Sequence, residues 1–224
     1  MKTDRINVYA LPHKGLRNAM SQVSFLAGNT DFTNPYELES LKILMAELVY
    51  LLEQHAHTED TVMLPLLEEK LPGSTAENAE EHEMLEAMVS RLTHQIEKID
   101  AYADASELED FYANFSDFHS RYLAHMQMEE RVVQQKFWNH FTDQELLDVH
   151  HKIVASFSPE KIMRWFRFII PALNPQERMA SLAKIKQHAP AEFFEAIMSM
   201  LEKEMSAYSL AQLREMLEES LLPH

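Results

Sequence analysis

Helix-opening signals recur up to Phe141 at intervals that only long helices can fill. Asn34 followed by Pro35 offers a capping side chain and a residue already held at helical φ, opening a helix that runs to about Lys70. "LPGST" breaks it, and Ser74-x-x-Glu77 reads as a capping box for a helix to about Ala103. Ser106-x-x-Glu109 opens another to about Phe141, and Leu11 to about Gly28 reads as a shorter first helix ending at a glycine. Four helices with short connections predict an all-α, up-down-up-down four-helix bundle over residues 1–141.

From 142 to 224 the texture changes to short helices separated by proline. Thr142-x-x-Glu145, Ser158-Pro159, Asn174-Pro175 (with Glu177) and Ser209-x-x-Gln212 each mark a start. This part reads as a helical C-terminal extension. With three glycines, 46% hydrophobic and 25% charged residues, the chain has the composition of an ordered helical protein rather than a disordered one.

A formal net charge of −16 argues against a phosphate-binding face, so no nucleic-acid partner is expected, and equally against an anionic membrane surface. The absence of cysteine excludes disulfides, thiolate zinc sites, iron–sulfur ligation and c-type haem attachment. "MKTDRINVYALPHKG" has no apolar run of signal-peptide length, and "IMRWFRFIIPAL" is broken by Arg164 and Arg167. A cytoplasmic location is the default expectation.

The apolar stripes of the four long helices carry polar interruptions. The first runs His13, Leu16, Met20, Val23, Ala27; the second runs Leu41, Leu44, Leu48, Leu51, His55, Glu59, Val62, Leu66. The third runs His82, Leu85, Val89, Leu92, Ile96, Ile99, and the fourth Leu108, Phe111, Phe115, Phe118, Tyr122, His125, Glu129, Val132. His-x-x-x-Glu by itself is weak, because His82/Glu86 and His188/Glu192 share the spacing. Depth adds the stronger signal: at 1.5 Å per residue His13, His55, His82 and His125 lie within roughly 8 Å of one level. His57, His94 and His119 fall off the stripes and are expected to face solvent or flank.

Two buried carboxylates without partners cost several kcal/mol each, or protonate. No basic residue sits at an inward position, Arg17 being the nearest. A divalent or trivalent cation is the natural compensator. Six nitrogen and oxygen donors without sulfur suit two metals, with Glu59 and Glu129 each able to bridge both.

"LPHKGLR", "HAHTEDTVMLPLLEE", "EEHEML" and "HMQMEER" together resemble the hemerythrin-like, or HHE cation-binding, domain in order and spacing over roughly residues 8–141. The resemblance implies a non-haem centre of two iron ions with an oxo or hydroxo bridge, with zinc or manganese as substitutes. Its carried-over ligands are His13, His55, Glu59, His82, His125 and Glu129. It implies binding or sensing of O₂, reactive oxygen species or nitric oxide, or holding of iron. An oxidoreductase that reduces peroxide or O₂, or donates iron for repair of damaged iron centres, is the alternative. Glu86 stands where oxygen-carrying hemerythrins have a further histidine, which weakens the expectation of reversible O₂ carriage. The sequence also shows neither the cysteine-containing N-terminal domain of iron–sulfur repair members nor a ubiquitin-ligase partner domain.

Some residues keep two readings. Glu86 reads as a surface or supporting acid before a ligand, and Tyr122 as core or as a hydrogen-bond donor at the metals. Leu16, Met20, Leu51, Leu52, Leu85, Val89 and Phe118 should form a dry wall above the centre. "KIMRWFRFIIP" reads as core of the extension, with Trp165, Phe166 and Phe168 as an alternative homodimer or partner face. His150-His151 reads as surface.

Overall fold

The computed structural model describes residues 5–219, and among these every regular element is a helix. The chain forms two compact units that divide between Phe157 and Ser158. The first contains α1 (Ala10–Asn29), α2 (Pro35–Thr58), α3 (Leu64–Lys70), α4 (Ala76–Lys98), α5 (Ala105–Met128), α6 (Gln134–His140) and α7 (Asp143–Ala155). α1 packs against α2 and α5, and α4 packs against the same pair, so four long helices share one interior. Their predicted stripes are that interior: Leu16, Met20, Leu51, Leu52, Leu85, Val89 and Phe118 are all buried. Among the described residues no helix is long and apolar enough to cross a membrane.

Local chemistry explains where the helices begin, and corrects four expected starts or stops. Asn34 caps α2 as expected, its side chain accepting from the Tyr36 N–H at 3.1 Å with Pro35 in first position. α5 starts two residues earlier than Ser106-x-x-Glu109 suggests. There Asp104 accepts the Glu107 N–H and Glu107 accepts the Asp104 N–H, a reciprocal box two residues upstream. The box at Ser74-x-x-Glu77 does not form. Instead Glu68, near the end of α3, accepts from the backbone of Gly73 and Thr75 and from the Thr75 hydroxyl, which ties the turn down. Gly73 lies at φ 80°, a left-handed position that breaks the helical run as "LPGST" predicts. Gly28 does not end α1; it stays helical, and the chain leaves through an extended Thr30.

The segment before α1 is fastened to the far end of the unit. Arg5 donates to the carbonyls of Trp138 and Phe141, and the buried Gln134 side chain accepts the Val8 N–H at 2.9 Å. Tyr9, Met63, Leu64, Leu67, Val133, Phe137, Phe141 and Leu146 form an apolar cluster there, which places α7 with this unit. α7 opens with the predicted Thr142/Glu145 box.

The second unit holds α8 (Pro159–Ala172), α9 (Pro175–His188), α10 (Ala191–Glu204) and α11 (Ala207–Glu219). Ser158 and Asn174 cap α8 and α9 as expected, whereas α11 starts near Ser206, whose hydroxyl accepts the Ser209 N–H. Trp165 and Phe168 are buried and Phe166 half-buried, while Arg178 donates to the carbonyls of Ile170, Pro171 and Leu173 at the end of α8.

Candidate metal centre

Glu59 and Glu129 each begin a π-helical turn, Glu59–Met63 joining α2 to α3 and Glu129–Val133 joining α5 to α6. The Leu64 N–H bonds back to the Glu59 carbonyl and the Gln134 N–H to that of Glu129, five residues rather than four. The extra residue rotates everything that follows. The buried face passes from the expected Val62 and Leu66, which are half-buried, to Met63 and Leu67. On the other helix it passes from Val132, which is 46% exposed, to Val133 and Phe137. Pro65 follows the first turn but no proline follows the second, so proline is not the shared cause. What the two turns share is an inward carboxylate, and single π-turns concentrate at functional sites.

All six predicted residues meet, each 5% exposed or less. Their donor atoms fall into two sets, His13, His55, Glu59, Glu129 and Glu59, His82, His125, Glu129, each with its four atoms within 4.8 Å of one another. The carboxylates belong to both sets, one oxygen facing each. Glu59 turns one oxygen to His55 Nε2 at 3.5 Å and the other to His82 Nε2 at 3.3 Å. Glu129 turns one to His13 Nε2 at 3.3 Å and the other to His125 Nε2 at 3.2 Å. His13 Nε2 and His55 Nε2 lie 3.1 Å apart.

The far side of three imidazoles is held by carboxylates. His13 Nδ1 lies 2.9 Å from Glu130, His82 Nδ1 2.8 Å from Asp60, and His125 Nδ1 2.7 Å from Glu81. Arg17 braces Glu130 at 2.6 Å rather than reaching the inward carboxylates. Asp60 and Glu130 each directly follow an inward glutamate, and Glu81 precedes His82. Doubled acids in "HTEDT", "MEER" and "EEHEM" were the available signal for these three, because neighbours on a helix point about 100° apart and one can reach sideways. Asn78, one turn before His82 and also missed, donates toward Glu129 at 3.4 Å.

Without a cation, protons take up the charge. Burial works against ionised His82, but Glu129, Glu59 and Asp60 outweigh it and raise the imidazole to about 11. His13 and His125 are raised the same way against burial, by Glu129 with Glu130 and by Glu129 with Glu81. Burial, with the charge of neighbouring His13, drives His55 well below its usual value, so its ring is neutral and its Nε2 faces His13 Nε2. Burial and Glu129 lift Glu59 to about 7. Glu129 is held low in spite of burial by the imidazoles of His125, His13 and His82.

The residues fit a metal site on the polar atoms they leave over. Both Glu59 oxygens, one Glu129 oxygen, and Nε2 of His82 and His125 are buried without a hydrogen bond. Five orphaned atoms converging on one place is far from the usual satisfaction of buried polar groups. Imidazole Nε2 turned inward with Nδ1 held by a carboxylate is the arrangement metal-binding histidines adopt.

Other predicted residues stay outside. Glu86 is exposed and belongs to neither set; His57 and His94 are exposed and His119 half-buried. His150 and His151 are exposed neighbours with rings 6.1 Å apart. Tyr122 is buried edge-on to His125 at 5.6 Å. Tyr9, unforeseen, lies 5.1 Å from the His13 ring with its hydroxyl buried and unpaired.

The sequence comparison agrees with this geometry. The model of the hemerythrin HHE cation binding domain matches residues 4–137, more than half of the chain. The chain belongs to the hemerythrin HHE cation-binding family. Curated relatives of this hemerythrin-like chain include F-box/LRR-repeat protein 5 of Xenopus laevis, 22% identical over 159 residues, covering 70% of this chain and 23% of that protein. The Mus musculus protein of the same name is 21% identical over 159 residues, with the same shares. That of Salmo salar is 21% identical over 214 residues, 94% of this chain and 30% of that one. The chain therefore spans less than a third of the length of these relatives. No solved structure matches.

Proposed function

We propose that this chain holds two iron ions in an up-down-up-down four-helix bundle, to bind or sense O₂, reactive oxygen species or nitric oxide, or to hold iron. The observation that carries the reading is two four-atom donor sets sharing the same two carboxylates. His13 and His55 would hold one ion, His82 and His125 the other, and Glu59 and Glu129 would span both. Two iron ions supply a redox pair to a small oxidant. The protein's part is to fix the donors, keep three imidazoles oriented through Glu130, Asp60 and Glu81, and exclude water with the Leu16–Met20–Leu51–Phe118 wall. Zinc or manganese suit the same donors.

An enzymatic reading, with peroxide or O₂ reduced at the centre, draws on the buried Tyr122 beside His125. Anaerobic reconstitution with iron, followed by optical spectra on adding O₂, peroxide or nitric oxide, separates the two. Binding or sensing predicts a spectral change without turnover; enzymatic use predicts catalytic loss of peroxide, abolished in Glu59→Ala. A chain that takes up no iron would contradict both.

Glu81→Gln is expected to weaken metal affinity by about 10–100-fold while leaving the ion count unchanged at saturation, since it loosens His125 without removing a donor. Competition against a chelator measures this, and unchanged affinity would mean Glu81 does not orient the ring.

Loading must also expel protons. His82 at about 11 is protonated throughout the neutral range, and Glu59 at about 7 carries a proton below it. Apparent affinity should therefore rise from pH 6 to pH 8, by about tenfold per unit for each proton released, most steeply below 7. Calorimetry in buffers of different ionisation heat counts those protons. A pH-independent affinity would contradict this electrostatic account.

A further inference from the structure

We infer that the cleft between α2 and α4 is the path by which divalent cations reach the centre, and that its carboxylates draw them in. The inference rests on the metal-binding reading above.

A cavity of about 690 Å³ lies along these two helices, and its inner wall includes His82 and Tyr122, both buried. His82 is a member of one donor set, its Nε2 buried on the side of Glu59 and without a hydrogen bond, so the cleft ends on the outer side of a donor imidazole. Leu52, Leu85 and Val89, buried like His82, make the same inner wall apolar. At the rim stand Glu53, Asp60, Glu86 and Glu97 with His57 and His94, all exposed, and among the described residues no lysine or arginine lines it. Asp60 joins rim to centre, since its carboxylate also holds His82 Nδ1 at 2.8 Å.

Four carboxylates over low-dielectric walls focus a negative potential at the opening. Such a potential concentrates cations, repels anions and leaves neutral molecules indifferent. The apolar wall offers an ion no lasting hold, so it passes on to His82 and the carboxylates behind it. This also gives Glu86 a task suited to its exposed position, in which it attracts the ion rather than ligating it.

The test is the rate at which the metal-free full chain takes up ferrous ion under anaerobic conditions, followed by stopped flow. Glu53→Gln, Glu86→Gln and Glu97→Gln together should slow loading by about tenfold or more at low salt, with the final ion count unchanged, and the difference should fade at high salt. A control with the same change in charge, Glu39→Gln, Glu109→Gln and Asp110→Asn, alters exposed acids outside the cleft and should load within about twofold of the unaltered chain. Ser90→Trp, an exposed cleft position, should slow loading at every salt concentration. Equal rates for the cleft and control triples, or free loading past Trp at position 90, would overturn the inference while leaving the metal site standing. A chain that binds no iron at equilibrium would overturn both.

Discussion

Glu129→Ala is expected to leave less than one iron per chain, whereas His125→Ala should keep about one. The difference follows from how the donors are shared. His125 belongs to one four-atom set, but Glu129 presents an oxygen to each, lying 3.3 Å from His13 Nε2 on one side and 3.2 Å from His125 Nε2 on the other. Removing it takes a donor from both positions and the negative charge that compensates both ions. Glu59→Ala should behave like Glu129→Ala, because its oxygens divide between His55 and His82 in the same way. Metal counting on iron-loaded, desalted protein checks this directly. Equal retention by the glutamate and histidine variants would mean that the carboxylates do not bridge.

Stripping the metal should lower the thermal midpoint by about 10 °C or more. An ion present at a thousand times its dissociation constant stabilises the folded state by about 4 kcal/mol. For a chain of this length each kcal/mol moves the midpoint by about 2–4 °C. The loss stops short of wholesale unfolding because protons partly replace the ions: His82 stays charged beside Glu59, Glu129 and Asp60. Calorimetry before and after chelation measures the shift, which re-addition of iron should restore. An unchanged midpoint would show that the buried carboxylates are balanced without metal.

The helices and the meeting of the six residues were legible because burial obeys a 3.6-residue period. His13, His55, His82 and His125 each interrupt an apolar stripe at one level, and such interruptions need no knowledge of the backbone beyond that period. Three things escaped. The π-turns after Glu59 and Glu129 add a residue without any proline or glycine common to both, so the period carried Val62, Leu66 and Val132 inward when Met63, Leu67 and Val133 are the buried residues. Asp104 rather than Ser106 caps α5, since two overlapping boxes were available and only backbone geometry chooses between them. Asp60, Glu81 and Glu130 went unassigned because the doubled acids that mark them name no partner: their contacts run between helices, to His82, His125 and His13.

The central claim is that two cations share Glu59 and Glu129. Anomalous diffraction at the iron edge from crystals of the iron-loaded protein tests it most directly. The account predicts two peaks, one against His13 and His55 and one against His82 and His125, with both carboxylates in contact with each. A single peak, or iron found only at surface positions such as His150 and His151, would contradict it.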